Sequence, residues 1–232
     1  MAEEEIKKVA LNLGADIFGV ADLDLIREYK THPRNLLDGF TRGIVIGLKL
    51  PDSIFDSLPE SRPLYSRAYT ISNDILDRIS FKISRRIEVR GYKALPIPAS
   101  KIVSGLHWMS FISHKAVARA AGVGWIGKNL LLITPTHGPR VRLSTILTDY
   151  PIEAGEPIRN RCGKCKECVE SCIANALRDV AFKDYPQRED VLDVEKCASK
   201  LQEFAKNPDI GNMVCGICIK VCPWGRREAD QG

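Results

Sequence analysis

All eight cysteines of this 232-residue chain fall between Cys162 and Cys222. They read Cys162-x2-Cys165-x2-Cys168-x3-Cys172, then a lone Cys197, then Cys215-x2-Cys218-x3-Cys222-Pro223. A cubane iron-sulfur cluster needs four convergent thiolates, and a tight Cys-x2-Cys-x2-Cys loop supplies only three of them. In two-cluster ferredoxins the cysteine that ends each run ligates the other cluster. The spacing therefore predicts one 4Fe-4S cluster on Cys162, Cys165, Cys168 and Cys222. The second run then offers only Cys215 and Cys218, so Cys172 and Cys197 complete the other cluster and no thiol is left over. Such a chain moves electrons.

Two other chemistries use cysteines at similar density. A disulfide framework belongs to small secreted domains, whereas this chain opens Met-Ala-Glu-Glu-Glu-Ile-Lys-Lys, with no apolar signal region. Structural zinc also takes Cys-x2-Cys, but usually from two separated knuckles. The four cysteines from Cys162 to Cys172 overcrowd one zinc and suit one cubane plus a donor to its neighbour.

A hydrophobic content of 44% can bury a sizeable core and a small second one. The longest apolar runs, residues 43–48 and 130–133, are too short to cross a bilayer, so the expectation is a cytoplasmic protein without a membrane anchor. The net charge of +5 permits an acidic partner. Lys82, Arg85, Arg86 and Arg90, however, read as the solvated face of a helix rather than a nucleic-acid surface.

The segments that must position the cysteines alternate. Residues 3–13 predict a helix with Ile6, Val9, Ala10 and Leu13 on one stripe and Gly14 as its C-terminal cap. Residues 16–23 and 43–48 predict buried strands. Residues 66–90 predict a long amphipathic helix carrying Ile71, Ile75, Ile79, Ile83 and Ile87 and ended by Gly91. A strand over 92–98 and a helix over 111–121 follow. Residues 130–134 and 141–148 predict a hairpin around Pro135-Thr-His-Gly-Pro139. The fold class expected is α+β, with an α/β domain over residues 1–155 and a small two-cluster ferredoxin-like domain over 156–232.

Gly122-Val-Gly-Trp-Ile-Gly-Lys-Asn129 satisfies Gly-x-Gly-x-x-Gly on paper and nearly satisfies the phosphate-loop pattern. Both require a strand before the glycines and a helix after them, so that a helix N-terminus faces the phosphates. Here a helix precedes and a strand follows. The glycines must serve a close backbone approach to a large flat ligand, or a tight helix-to-strand turn.

The run Ser113-His-Lys-Ala-Val-Ala-Arg-Ala-Ala-Gly-Val-Gly-Trp-Ile-Gly-Lys-Asn129 is followed by Leu-Leu-Ile-Thr-Pro-x-x-Gly-x-Arg140, Leu-Thr-Asp149 and the cysteine block. Together these resemble epoxyqueuosine reductases and, more distantly, corrinoid-dependent reductive dehalogenases. The likeness covers residues 110–225 well, and Leu13-Gly-Ala-Asp-x-x-Gly-Val-Ala21 fits it loosely. It implies a nitroreductase-like α/β domain holding base-off cobalamin, fed by two clusters that take low-potential electrons from a redox partner. By position, Trp108, His114, Lys115, Arg119, Gly122, Gly124, Trp125, Gly127, Lys128 and Asn129 would line the corrin pocket. Trp125 would stack on the macrocycle, and the basic side chains would reach amide carbonyls or the tail phosphate.

The chain also departs from that family. Where epoxyqueuosine reductases carry a proton-donating acid before this tryptophan, Trp108 stands here beside His107, and residues 95–125 contain no carboxylate. Ile173 follows Cys172 where ferredoxins usually have proline. The sequence ends ten residues after Cys222, without the helical-repeat extension that helps those enzymes hold tRNA. The expectation is thus an oxidoreductase acting on a small molecule or a corrinoid protein rather than on nucleic acid, with His107 as axial ligand or proton donor. The competing readings are a two-cluster ferredoxin-type electron carrier without corrinoid, and a flavin-binding reductase.

Overall fold

The computed structural model describes residues 2–103, 108–181 and 188–225. In chain order its elements are α1 (Ala2–Asn12), β1 (Ile17–Asp22), β2 (Arg42–Lys49), α2 (Asp52–Asp56), α3 (Arg62–Glu88), β3 (Ala94–Ile97), α4 (His114–Ala120) and β4 (Trp125–Ile126). There follow β5 (Leu132–Ile133), β6 (Val141–Thr148), α5 (Glu167–Glu170), α6 (Arg188–Val191), α7 (Val194–Ala205) and α8 (Ile217–Lys220). The chain divides into two compact units, one made of Met1–Lys49, Ile71–Trp125 and Arg142–Arg159, the other of Leu50–Thr70, Ile126–Val141 and Asn160–Gly232. In this division residues 50–70 and 126–141 group with the cysteines.

The first unit is built on a four-stranded sheet in the order β1-β2-β6-β3. β1 runs antiparallel to β2, with Ile17 opposite Gly47 and Asp22 opposite Arg42; β3 runs antiparallel to β6, with Ala94 opposite Thr148. The uninterrupted apolar run of β2 marks a strand covered on both faces, and Ile44, Val45 and Ile46 are each fully buried. α1 and the 71–88 part of α3 supply Ile6, Ala10, Leu76, Ile79, Ile83 and Ile87 to one core with Ile44, Ile46 and Ile146. Gly14 and Gly91 follow these helices with φ of +99° and +85°, the left-handed geometry that ends a helix.

The isoleucine stripe of α3 is only partly buried: Ile79, Ile83 and Ile87 are inside, while Ile71 and Ile75 are 43% and 39% exposed. Strict four-residue steps advance about 40° beyond a full turn each time, so the row winds off the core face within a few turns. Ser72, Leu76 and Ser80 take the buried positions instead. Lys82, Arg85, Arg86 and Arg90 are exposed, and Arg90 pairs with Glu5. α4 is shorter than its apolar pattern because the Ser113 side chain caps it, accepting from the Ala116 amide at 3.3 Å.

The hairpin expected between 130–134 and 141–148 does not form. β5 pairs with β4, β6 joins the four-stranded sheet, and the turn between them closes only through a bridge from Thr134 to Gly138. In the second unit Phe55, Leu58 and Tyr65 form a core with Ile210, Val214 and Ile219. Arg140, 1% exposed, reaches Asp52 at 3.1 Å and Asp56 at 2.8 Å. Among the described residues no helix is long and apolar enough to cross a membrane.

Candidate metal centres and the glycine-tryptophan segment

Each cysteine run opens with the same local device, Cys-Gly-x-Cys. Gly163 and Gly216 adopt φ of +50° and +84°, and each is followed by a single helical turn, α5 or α8. The left-handed glycine folds the chain back, so that Cys165 donates its amide to the Cys162 carbonyl at 3.0 Å. Asn160 fixes the entry to the first run: its Oδ1 accepts from the Cys162 amide at 2.9 Å, and its Nδ2 donates to the Ile126 carbonyl at 3.0 Å.

Cys162, Cys165, Cys168 and Cys222 line one cavity, together with Lys128, Asn129, Ile133, Glu167, Pro223 and Trp224. Burial pushes the Cys222 thiol up to about 12, and the neighbouring charges of Cys162, Cys168 and Cys165 add to the rise. Burial, then Cys162 and Cys165, push Cys168 up to about 11. Cys218 is raised first by burial and then by Cys215, Cys168, Cys197 and Cys172. Crowded, desolvated thiols of this kind suit a cationic cluster that takes them as thiolates and releases their protons.

Cys197 reaches its group from a distance. The excursion between Cys172 and Cys197 is closed by a bridge from Leu177 to Leu192 and by the Asp193 amide donating to the Ala176 carbonyl at 2.8 Å. Asp193 then caps α7, which carries Cys197. The Ala176 amide points at Cys172 Sγ at 3.4 Å. Arg62 Nε donates to the Cys215 carbonyl at 3.3 Å while its guanidinium lies 3.9 Å from the Phe204 ring centre. α5 packs against α8, bringing Cys168 and Cys218 near one another.

Asp179 is a site residue that spacing does not reveal. Its carboxylate accepts from buried Lys128 at 2.6 Å and pairs with Lys166 at 2.9 Å, and these bonds, Lys128's first, hold its pKa below the usual carboxylate range. Asn129 is equally committed: Nδ2 donates to the Cys218 carbonyl at 3.3 Å and Oδ1 accepts from the Leu131 amide at 3.1 Å. Lys128 and Asn129 therefore stand at the cysteine cavity.

The remaining residues assigned by resemblance to a corrin pocket are placed as follows. Trp125 is 1% exposed. Gly122, at φ +73°, lies where a Cβ would come within 2.3 Å of the Glu156 carbonyl oxygen. Gly127 closes against Asn129 and Ile133, and Gly124 is buried. Trp108 is half-buried with φ +50°, and Lys115 and Arg119 are half-buried on α4. His107 lies outside the described residues.

His114 is fixed by both ring nitrogens. Nε2 lies 2.9 Å from the Pro98 carbonyl, which can only accept, so Nε2 carries the proton; Nδ1 then accepts from Thr145 Oγ1 at 2.8 Å. Desolvation, opposed by the Pro98 bond and aided by Arg142, holds the ring's pKa down to about 4. The unfolded chain protonates this histidine below about 6.5, whereas the folded chain does not until about 4. Its contribution to stability is full above that upper value and is lost as pH falls through the window. Because the residue is half-buried and partly screened, the expected loss between pH 7 and pH 5 is on the order of 1 to 2 kcal/mol. His114→Gln should flatten that part of a urea-unfolding pH profile; an unchanged slope would show that another group carries it.

Residues 161–225 match the family model of the 4Fe-4S double cluster binding domain, the segment that carries all eight cysteines. Over nearly its whole length the chain is similar to epoxyqueuosine reductases. It is 27% identical, over an alignment 267 positions long, to the epoxyqueuosine reductase of Vibrio cholerae, covering 96% of this chain and 66% of that one. A crystal structure of epoxyqueuosine reductase with an epoxyqueuosine-modified tRNA-Tyr stem loop aligns with TM-score 0.66 and 22% identity, over 97% of this chain and 65% of that one. A reductive dehalogenase structure discussed in terms of B12-dependent dehalogenation aligns with TM-score 0.75 and 21% identity, over 97% of this chain and 32% of that one. The chain thus spans about two thirds of the reductases and a third of the dehalogenase; the two solved structures share its fold.

Proposed function

We propose that this chain is an iron-sulfur oxidoreductase whose second unit holds two 4Fe-4S clusters, one on Cys162, Cys165, Cys168 and Cys222 and one on Cys172, Cys197, Cys215 and Cys218. The observation that carries this reading is the cavity lined by Cys222 together with the first three cysteines of a run some fifty residues earlier. Bound clusters supply single-electron transfer. The chain's own part is to present thiolates, exclude water with Ile133, Pro223 and Trp224, and hold the two sets close through α5 and α8. Backbone and side-chain donors to sulfur, such as the Ala176 amide at Cys172, favour the reduced state.

In the finer reading, the first unit is nitroreductase-like and presents base-off cobalamin to these clusters, with a substrate other than epoxyqueuosine in tRNA. Its support is the likeness in fold to the dehalogenase and reductase structures. Six of the residues nominated for the corrin have other neighbours in the structure: His114 meets Pro98 and Thr145, Gly122 the 156 backbone, Gly127 the side chains of Asn129 and Ile133, Trp125 lies in the interior, and Lys128 and Asn129 line the cysteine cavity. Within this reading Trp108, Lys115, Arg119 and Gly124 are the lining proposed first for a corrin. The tRNA complex of a relative makes RNA a substrate class to assay beside small molecules and corrinoid proteins.

The test is EPR of anaerobically purified protein mixed with cob(II)alamin. Loss of the lower-base nitrogen splitting on stoichiometric binding is the expected result. An unchanged cobalamin spectrum from protein holding about eight irons would leave the cluster domain standing and overturn the corrinoid reading in favour of an electron carrier or a flavin enzyme.

A further inference from the structure

Lys128 is an unusual lining for a cavity of thiols. Its side chain is 7% exposed, the residue lines the cavity, and its ammonium meets Asp179 at 2.6 Å, with Lys166 closing the carboxylate's other oxygen at 2.9 Å. The three side chains carry a net charge of +1. The buried member is a cation, while Asp179 and Lys166 are 35% and 53% exposed and correspondingly screened. Among the described residues the one carboxylate that lines the cavity, Glu167, is solvent-exposed.

We propose that Lys128 is a positioning residue that sets the reduction potential of the cluster on Cys162, Cys165, Cys168 and Cys222, with Asp179 as the counter-charge that trims its effect. This rests on the reading that a cluster occupies that cavity. When such a cluster accepts one electron from a low-potential carrier its charge becomes more negative by one unit. A desolvated cation beside it stabilises the reduced form far more than the same charge would in water. The other thiol group has a different neighbour, Arg62 at the Cys215 carbonyl, so the two clusters can be tuned separately.

The consequence is a pair of opposite shifts. Lys128→Met removes the buried charge and should lower the potential of one cluster. Asp179→Asn leaves both ammonium groups uncompensated and should raise it. Each should change the reduced-to-oxidised ratio at a fixed solution potential about tenfold, equivalent to about 59 mV for a one-electron couple. Lys128→Arg should hold the wild-type value. A merely structural ion pair would give changes of the same sign, or lost iron, in both variants.

The experiment is a mediator-poised EPR titration of the reconstituted full chain, with iron and sulfide counted for each variant. The expected result is one reduction wave moving down in Lys128→Met and up in Asp179→Asn, while the other wave stays fixed. If Lys128→Met fails to hold its cluster, the direction in Asp179→Asn decides. Two unmoved waves in protein holding both clusters overturn the inference about Lys128. Wild-type protein that binds no iron overturns the cluster reading instead, so the two failures are distinct.

Discussion

Cys222→Ala should leave about four of the expected eight irons, and the cluster that survives should be the same one that survives Cys162→Ala. The two residues belong to different runs, yet they share a cavity, and the charge of Cys162 is the first of the cysteine influences on Cys222. Cys215→Ala should strip the opposite cluster and leave the complementary EPR signal, because Cys215 feels Cys172 and lies with Cys218. A run-by-run assignment makes the contrary forecast, grouping Cys222 with Cys215 and Cys218. The decisive measurement is therefore the identity of the remaining signal. Matching signals from Cys222→Ala and Cys215→Ala would sink the interleaved arrangement even if the iron counts came out as expected. Alanine is the right replacement, since serine could supply an oxygen ligand and blur the count.

How far such groups can be read from sequence depends on what each contact needs. Cys-x2-Cys is a local geometry, and the left-handed glycine inside each copy, Gly163 or Gly216, is visible as a letter in the sequence. Strands β1 and β2 carry unbroken apolar runs and were legible for that reason. β4 and β5 are two residues each, too short to show any period, so the 130–134 segment read as the arm of a hairpin. The make-up of the second unit was hidden more deeply, because Phe55, Leu58 and Tyr65 find Ile210 and Val214 only after about 150 intervening residues. Asp179 has no motif around it; its meaning comes from where Lys128 and Lys166 arrive. Lys128 and Asn129 belong to a recognisable motif, and resemblance sent them to a corrin pocket. In the structure they line the cysteine cavity, a placement that depends on the chain crossing units between Trp125 and Ile126.

Gly122→Ala is expected to destabilise the first unit by about 3 kcal/mol or more, whether or not any cofactor is added. Sequence alone left two reasons for a glycine here, close approach to a flat ligand or a tight turn, and the structure supplies a third. At φ +73° a Cβ would stand 2.3 Å from the Glu156 carbonyl oxygen, which is backbone and cannot rotate away. The crossing is reciprocal: a Cβ at Gly155 would come within 2.5 Å of the Ala121 carbonyl oxygen, and the Gly155 amide is tied to the Val20 carbonyl at 2.8 Å. Moving one strand of this crossing away therefore strains a hydrogen bond to β1. Gly14→Ala separates the two contributions, because Gly14 has a comparable φ of +99° but nothing within 4 Å of its missing Cβ. It should cost only the left-handed backbone penalty, about 1 kcal/mol. For a chain of this size the Gly122 variant should lose on the order of 10 °C in Tm and the Gly14 variant about 3 °C. Equal losses in cofactor-free protein would mean that the 121–122 and 155–156 backbones can part at little cost. The ligand explanation for Gly122 would then regain its place, with weakened cobalamin binding by a normally stable Gly122→Ala protein as its signature.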